Sequence, residues 1–163
     1  MKKTVVAAVA VVLPLVFAGA AVSEPTPAEP GPPAAVLADP VASGPLGTTF
    51  PIRTGGHMKV TIRPADAEVA PRAEDQSVVA YEVGAEQTAG KPYFLPTVDL
   101  RLITTNGDMV YPLTGVPGEY PGGFLEPGQP RSGLIAFGLT PRQQPKEIVF
   151  ATNDDHVQGA WTL

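Results

Sequence analysis

"VDLRLITTNGDMVYPL", residues 98–113, places a turn dipeptide between two extended segments. Before the turn, apolar and polar residues alternate, which is the period-two pattern of a strand with one buried face. Asn106-Gly107 is the pair typical of a two-residue type I′ turn, because both central residues of that turn need a positive φ. The stretch therefore predicts a β-hairpin. Its predicted inward residues are Val98, Leu100 and Leu102, and its predicted outward residues are Asp99 and Arg101.

The same alternation recurs along the chain. The residues predicted to share an inner face are Met58, Val60 and Ile62 in "HMKVTIRP", Val79, Tyr81 and Val83 in "SVVAYEVG", and Val157, Trp161 and Leu163 in "HVQGAWTL". "GLIAFGL" and "EIVFAT" are more continuously apolar, which is typical of strands that are central or covered on both faces. No segment keeps a 3.6-residue apolar period, and "PADAEVAPRAEDQ" has room for one helical turn at most.

These short strands, separated by Gly, Pro and Asn-Asp turns, predict an all-β fold. The architecture expected is an immunoglobulin-like antiparallel β-sandwich of seven to eight strands. The cysteine pair that pins antibody domains is absent, since the chain has no Cys. Its stability must then come from the core alone, although small secreted domains often depend on disulfides.

The N-terminus predicts three regions. Residues 1–23 read as a signal peptide, with basic Lys2 and Lys3, an apolar run, and cleavage after Ala20 or after Ser23. The apolar run is almost long enough for an uncleaved membrane anchor, and that alternative stays open. Residues 24–46 contain seven prolines and predict a disordered linker, because such a composition buries too little surface to offset chain entropy. Residues 47–163 form the predicted sandwich domain.

Charge narrows the range of partners. Cleavage would remove both lysines of the leader and leave nine basic residues against 16 acidic ones, a net charge of −7. An acidic chain without a basic cluster argues against nucleic acid and against anionic membranes as partners. After cleavage we expect no stable insertion into a membrane. The predicted location is extracellular, either free or associated with the cell wall.

The C-terminal half resembles a known family. "VDLRLITTNGDMVYPL" is followed by "FLEPGQPRSGLIAFGLTP" and by "KEIVFATNDDHVQGAWTL", which gives the order L-x-P-G, G-x-I-x-F, a final I-V strand and a late Trp. This series resembles the secreted immunogenic antigens of mycobacteria, the family of immunogenic protein MPT sixty-three. The resemblance implies a small, exported immunoglobulin-like sandwich of undefined biochemical role, with no catalytic residues to transfer. It covers residues 98–163 well, 47–90 thinly and the Pro-rich linker not at all.

Two histidines keep a second class of function open. The rival hypothesis is a small cell-envelope enzyme or a copper-binding carrier that uses His57 and His156, because copper sites combine His with Met. Other available ligands are Met58, Met109, Asp154 and Asp155. Alternation places His57 on a polar face and Met58 in the core, which favours solvated histidines and no metal or other cofactor. Ser77 and Ser132 lack the G-x-S-x-G context of a nucleophile elbow, so we expect no catalytic residue.

The most unusual segment is "TGVPGEYPGGFLEPGQP", residues 114–130. It is long for a connection in a sandwich, and long ordered loops are often functional. Tyr120 and Phe124 lie among Gly and Pro, as aromatic anchors do in binding loops. The alternative is that both rings plug the open end of the core. The sequence thus predicts an interaction or antigen-type domain, with Tyr120 and Phe124 contacting an extracellular or host protein.

Overall fold

The computed structural model describes residues 41–53, 56–152 and 156–163. Within these ranges the chain forms eleven strands and one 3₁₀ turn, Thr97–Asp99. The strands are β1 Ser43–Pro45, β2 Thr49–Arg53, β3 Gly56–Pro64, β4 Ser77–Gly90, β5 Tyr93–Phe94, β6 Leu100–Thr104, β7 Met109–Val110, β8 Phe124–Leu125, β9 Arg131–Leu139, β10 Pro145–Ala151 and β11 Val157–Thr162. The all-β prediction is confirmed. Seven of these strands have five or more residues, and the other four have two or three.

The strands form two main sheets and a small ribbon. The first sheet has the order β1-β11-β10-β6-β7, and the second has the order β2-β3-β4-β9. β5 and β8 pair with each other as a two-stranded ribbon. All pairings are antiparallel except that of β1 with β11, which is parallel. The result is the predicted immunoglobulin-like β-sandwich.

One core joins the two sheets. Phe50 of β2 and Trp161 of β11 come from different sheets, and their ring centroids are 5.0 Å apart. The predicted inner residues of β3, Met58, Val60 and Ile62, are at most 1% exposed. Ile135 and Phe137 of β9, the strand at the other edge of the second sheet, belong to the same cluster. Alternating side chains of both sheets therefore fill the space between them, as in other aligned sandwiches.

β10 is buried on both faces, as its continuous apolar run predicts. Ile148 and Phe150 belong to the main core, while Val149 and Ala151 belong to a second cluster on the opposite face of the sheet. Partly buried Ile103 packs against this second cluster.

A β-bulge overturns the prediction for β11. Val157 pairs with Ala151 and Gly159 pairs with Phe150, so two residue steps on β11 oppose one step on β10. The extra residue shifts which side chains face the core. Val157 consequently joins the second cluster while Trp161 enters the main core. Leu163, predicted to share their face, lies beyond the strand and is 37% exposed.

The hairpin of residues 98–113 forms, but with a different turn. Gly107 N–H donates to the oxygen of Thr104 at 3.0 Å, and Thr104 N–H donates to the oxygen of Asp108 at 3.0 Å. The loop therefore has three residues and Gly107 follows the turn with a φ of 87°. This is the geometry of a turn closed by a left-handed residue, which glycine adopts without steric cost.

The first strand of that hairpin also departs from simple alternation. Val98 lies in the 3₁₀ turn and is 47% exposed, so its predicted inward position is wrong. Asp99 and Arg101, predicted to face outward, are 2% and 7% exposed. Leu100 and Leu102 are fully buried, as predicted. β6 is thus covered on both faces, and the buried charged side chains are those of Arg101 on the strand and of Asp99 just before it.

The folded domain begins before the predicted boundary at residue 47. β1 pairs with β11 through Ser43, Gly44 and Pro45, and Val41 N–H donates to the oxygen of Val157 at 3.2 Å. Residues 41–46, predicted as the end of the linker, therefore belong to the first sheet and its approach. The predicted signal peptide, its two cleavage sites and linker residues 24–40 lie outside the described residues.

Candidate interaction surface

Two phenylalanines project from the β5–β8 ribbon. Phe94 and Phe124 are directly opposite each other in the antiparallel register, which places their side chains on the same face. The rings meet edge to face, with centroids 5.3 Å apart and planes inclined by 62°. Phe94 is 51% exposed and Phe124 is 59% exposed. We call Phe94 and Phe124 the aromatic pair.

The opposite face of the ribbon anchors it to the core. Tyr93 and Leu125 form the neighbouring register pair, and Leu125 is fully buried. Leu95, the next residue after β5, is also fully buried, and its N–H donates to the oxygen of Gly123 at 3.0 Å. Strand alternation therefore sends one pair of side chains into the core and the aromatic pair into solvent.

Gln87 fixes the ribbon to β4. Its side chain is fully buried, and its amide oxygen accepts a hydrogen bond from Tyr93 N–H at 3.1 Å. Its amide nitrogen donates to the backbone oxygens of Ala89 and Lys91. Its own backbone oxygen accepts from Gly128 N–H at 2.8 Å. One glutamine thus holds both the β4–β5 connection and the chain after β8, which limits the ordering cost if the aromatic pair binds a partner.

Tyr120 is a core residue, so its predicted role as a surface anchor is corrected. Its side chain is 1% exposed within the main core, and burial raises the pKa of its hydroxyl to about 12, with Arg131 opposing the shift. Its hydroxyl oxygen is buried and has no hydrogen-bond partner among the described residues. The ring therefore plugs the core, as the alternative interpretation states, whereas Phe124 faces solvent.

The first half of the long loop covers a sheet edge. β9 is the edge strand of the second sheet. On the side of β9 that faces away from β4, the oxygen of Ala136 accepts a hydrogen bond from Leu113 N–H at 2.7 Å. Leu134 exchanges two more, with Gly118 and Tyr120, at 2.7 and 2.8 Å. An uncovered strand edge invites pairing with another chain. Residues 113–120 therefore protect β9, and the exposed aromatic content lies in the second half of the loop.

The histidines and methionines of the rival hypothesis are dispersed. His57 is exposed on β3 of the second sheet, and His156 is exposed just before β11 of the first sheet. Met58 is buried in the core, and the Met109 sulfur lies 3.7 Å from a guanidinium nitrogen of Arg101. Asp154 and Asp155 lie outside the described residues. In the ranges that the structure describes, no three His, Cys, Asp or Glu residues form a group that could hold a metal ion.

The serines considered as nucleophiles lie apart on the second sheet, because Ser77 pairs with Leu139 whereas Ser132 pairs with Gly84. Ser77 is the exposed first residue of β4, and Ser132 is exposed near the start of β9. Neither serine follows the strand-to-helix elbow that exposes the nucleophile of a hydrolase.

One buried carboxyl group lies behind the aromatic pair. The Tyr93 hydroxyl donates to Oδ2 of Asp99 at 3.2 Å, while Oδ1 is buried and has no hydrogen-bond partner in the described part of the chain. Burial raises the pKa of Asp99, and the Tyr93 hydrogen bond and the charge of Arg101 oppose the shift.

Among the described residues, no helix has the length and apolar character needed to cross a lipid bilayer.

No family model and no curated protein matches this chain. Solved structures do resemble it. The secreted protein MPT63 of Mycobacterium tuberculosis aligns over 77% of this chain and 99% of its own, with a TM-score of 0.64 and 15% identity. The yjhA protein of Bacillus subtilis aligns over 72% of this chain and 97% of its own, with a TM-score of 0.53 and 20% identity.

A third structure is that of ycdA, a candidate lipoprotein of Bacillus subtilis. It aligns over 74% of this chain but only 38% of its own length, with a TM-score of 0.51 and 12% identity. At such identities the likenesses show a shared fold and not membership of a family. They confirm the sandwich that the sequence resemblance implies.

Proposed function

We propose that this chain is a secreted, non-enzymatic interaction domain that binds an extracellular protein through the aromatic pair. The observation that carries the proposal is the exposure of both rings, each more than half accessible, on a ribbon that is fixed from behind. Aromatic side chains supply a large contact area at low entropic cost, and they dominate the energetics of many interfaces.

Two further points support this proposal. The structural neighbours include a protein described as secreted and a candidate lipoprotein, which is consistent with an extracellular location. The ribbon is held by backbone and glutamine hydrogen bonds, so the aromatic pair is presented in one arrangement before any partner arrives. Preorganisation of this kind reduces the free energy lost on binding.

The test is capture by the purified protein with a matched variant. Wild type, Phe94→Ser with Phe124→Ser, and the control Tyr111→Ser are immobilised and exposed to a mixture of extracellular proteins. Tyr111 is a suitable control because it is another aromatic residue, 52% exposed, at the end of β7. We expect at least one protein to be retained by wild type and by the control, and to be lost from the double variant.

The retained protein is then purified and its affinity measured. Loss of both rings should weaken binding by about 1–3 kcal/mol, the usual scale for aromatic anchors. Equal binding by the double variant and wild type contradicts the proposal, provided that their far-UV spectra agree. If the Tyr111→Ser control loses the retained protein to the same extent as the double variant, the partner binds to a surface other than the aromatic pair.

A further inference from the structure

The outer face of the second sheet carries a polar groove that the aromatic pair does not touch. Thr49, Thr61, Gly84 and Ser132 are paired in register across β2, β3, β4 and β9, so they form one row across the sheet. This row forms the floor of a concavity of about 750 Å³. The hydroxyl oxygens of Thr49 and Thr61 are 2.7 Å apart. A Cβ added to Gly84 would meet no atom within 4 Å, so the glycine leaves the floor open.

Charged residues flank this floor on both sides. Lys59 of β3 pairs in register with Glu86 of β4 in one neighbouring row, and Arg63 pairs with Glu82 in the other. Directly opposed residues share a face of the sheet, so each row presents a cation beside a carboxylate. Among the described residues, none of these four groups forms an ion pair or a side-chain hydrogen bond. Their charges are therefore available to a ligand.

The spacing of the charges suits an extended ligand. Lys59 and Arg63 are four residues apart on β3, which corresponds to about 13 Å along a strand. The floor crosses four strands, or about 14 Å at the usual distance between neighbouring strands. Arg131 stands at the rim, where one guanidinium nitrogen donates to the oxygen of Gly122 at 2.5 Å. The groove thus offers separated cations, separated carboxylates and a hydroxyl floor between them.

We propose that this groove binds an acidic polysaccharide. Carboxylate groups of the sugar chain would accept hydrogen bonds from Lys59 and Arg63, while sugar hydroxyls would donate to Glu86, which lines the groove, and to Glu82, which lines the adjoining concavity. A neutral glycan would leave both cations without a partner. A polyanion that lacks hydroxyl groups would be repelled by both carboxylates and would leave them unpaired. A chain with both acidic groups and hydroxyls uses the complete set.

The experiment measures retardation of the purified protein in native gels that contain a dissolved polysaccharide. Polygalacturonate is the acidic probe, and fully methyl-esterified pectin is its matched neutral probe, since it has the same sugars without the charge. Poly-L-glutamate serves as a polyanion without sugar hydroxyls. We expect polygalacturonate to retard the wild-type protein and the other two polymers to leave its mobility unchanged.

Two variants test the position of the site. Lys59→Gln with Arg63→Gln should weaken binding to polygalacturonate by about tenfold, the combined scale of two exposed charge pairs. Arg142→Gln with Lys146→Gln removes two exposed cations elsewhere and should leave binding unchanged. Gly84→Val should also abolish retardation, because a branched side chain fills the floor while the space above it accepts the new atoms without a clash.

Each contrary result overturns the proposal. Absence of retardation by polygalacturonate excludes an acidic polysaccharide as the ligand. Equal retardation by methyl-esterified pectin shows that the cations are not used, and equal retardation by poly-L-glutamate shows a general affinity for polyanions. Unchanged binding by a folded Gly84→Val variant places the ligand on another surface. None of these results depends on the aromatic pair, so they do not test the proposed function, which is tested by the Phe94 and Phe124 variants.

Discussion

The indole nitrogen of Trp161 donates a hydrogen bond to the backbone oxygen of Thr48 at 2.8 Å. This bond joins β11, the last strand along the chain and part of the first sheet, to the residue that precedes β2 of the second sheet. Trp161 is fully buried, and its ring also contacts Phe50. The chain has no Cys, so this hydrogen bond and the ring contact join the two sheets without a covalent cross-link.

Replacing Trp161 with Phe should destabilise the domain by about 2–4 kcal/mol, because the change leaves a cavity and removes the donor to the part-buried oxygen of Thr48. The free energy of unfolding is measured in urea by far-UV circular dichroism. Tyr111→Phe is the control, since Tyr111 is exposed and outside the core. A loss below 1 kcal/mol would mean that water replaces the indole at Thr48.

Gly133→Ala should be far more damaging than Gly84→Ala. A Cβ at Gly133 would lie 2.5 Å from the Cα of Tyr120, and the backbone there cannot move without breaking the cover of β9. We expect a loss of at least ~2 kcal/mol for Gly133→Ala. Gly84→Ala, which meets no atom within 4 Å, should change stability by less than ~1 kcal/mol. Thermal and urea unfolding of both variants provide the measurement, and equal stabilities would contradict the packing described here.

Alternation predicted the parts of the fold in which each strand has one regular buried face. Met58, Val60 and Ile62 follow it because β3 is a central strand whose pairing with β4 is regular from Met58 to Pro64. The continuous apolar run of β10 likewise predicted burial on both faces. In a strand with one regular buried face, every second residue faces the core. The positions that are buried can therefore be counted directly along the sequence.

The remaining features depend on contacts that have no period. The bulge in β11 places Val157 and Trp161 on opposite faces, and its sign in the sequence is Gly159, since a glycine inside a strand often marks a bulge. Phe94 was missed because a two-residue strand is too short to alternate, although an adjacent Tyr and Phe beside Pro could have marked it. Tyr120 and Phe124 look alike in sequence. They differ in structure because Tyr120 reaches the core over Gly133, whereas Phe124 pairs outward with Phe94.

The burial of Tyr120 predicts a loss of stability in strong alkali. Its pKa is raised from 10.0 to about 12 by burial, so the folded state favours the protonated phenol. The corresponding stability is complete below pH 10 and is lost as the pH rises from 10 through about 12. Tyr120→Phe should therefore lose less stability than wild type over that interval.

Tyr81 provides the comparison for this measurement. Burial also raises the pKa of Tyr81, so some alkaline loss should remain in the Tyr120→Phe variant. Urea unfolding at pH 7 should show Tyr120→Phe within about 1 kcal/mol of wild type, because the buried hydroxyl has no partner to lose. An alkaline curve identical to that of wild type would show that the folded protein ionises Tyr120 without cost.

Asp99→Asn should raise stability at neutral pH. Burial raises the pKa of Asp99, so the folded state favours the protonated carboxyl and loses stability as the pH rises above the ordinary carboxyl range, from about pH 4 upward. Asparagine removes this loss and keeps an acceptor for the Tyr93 hydroxyl. The variant and wild type should therefore converge at acidic pH and diverge at pH 7 in thermal unfolding. A less stable variant at pH 7 would show that the attraction of Arg101 outweighs desolvation.

Gln87 should determine how firmly the aromatic pair is held in place, although it does not itself contact the binding partner. Its buried amide accepts from Tyr93 N–H and donates to the oxygens of Ala89 and Lys91. Gln87→Leu keeps a similar volume but leaves these three backbone groups without that amide, each at a cost of about 1–3 kcal/mol if it stays buried. We expect the β5–β8 ribbon to detach locally from β4 before the sandwich unfolds, because its two strands contribute only two residues each.

Hydrogen–deuterium exchange resolves this outcome from global unfolding. In Gln87→Leu the amides of Tyr93, Leu95 and Leu125 should exchange faster, while those of Val60 and Ile148 in the two main sheets keep their protection. Binding of the extracellular partner should weaken, since the aromatic pair must then be ordered at the moment of contact. Thr88→Ala is the matched control on the same strand, because Thr88 is exposed and its hydroxyl donates only to the oxygen of His57. Unchanged exchange at Tyr93 in Gln87→Leu would show that the buried Leu125 and the partly buried Tyr93 hold the ribbon without the glutamine.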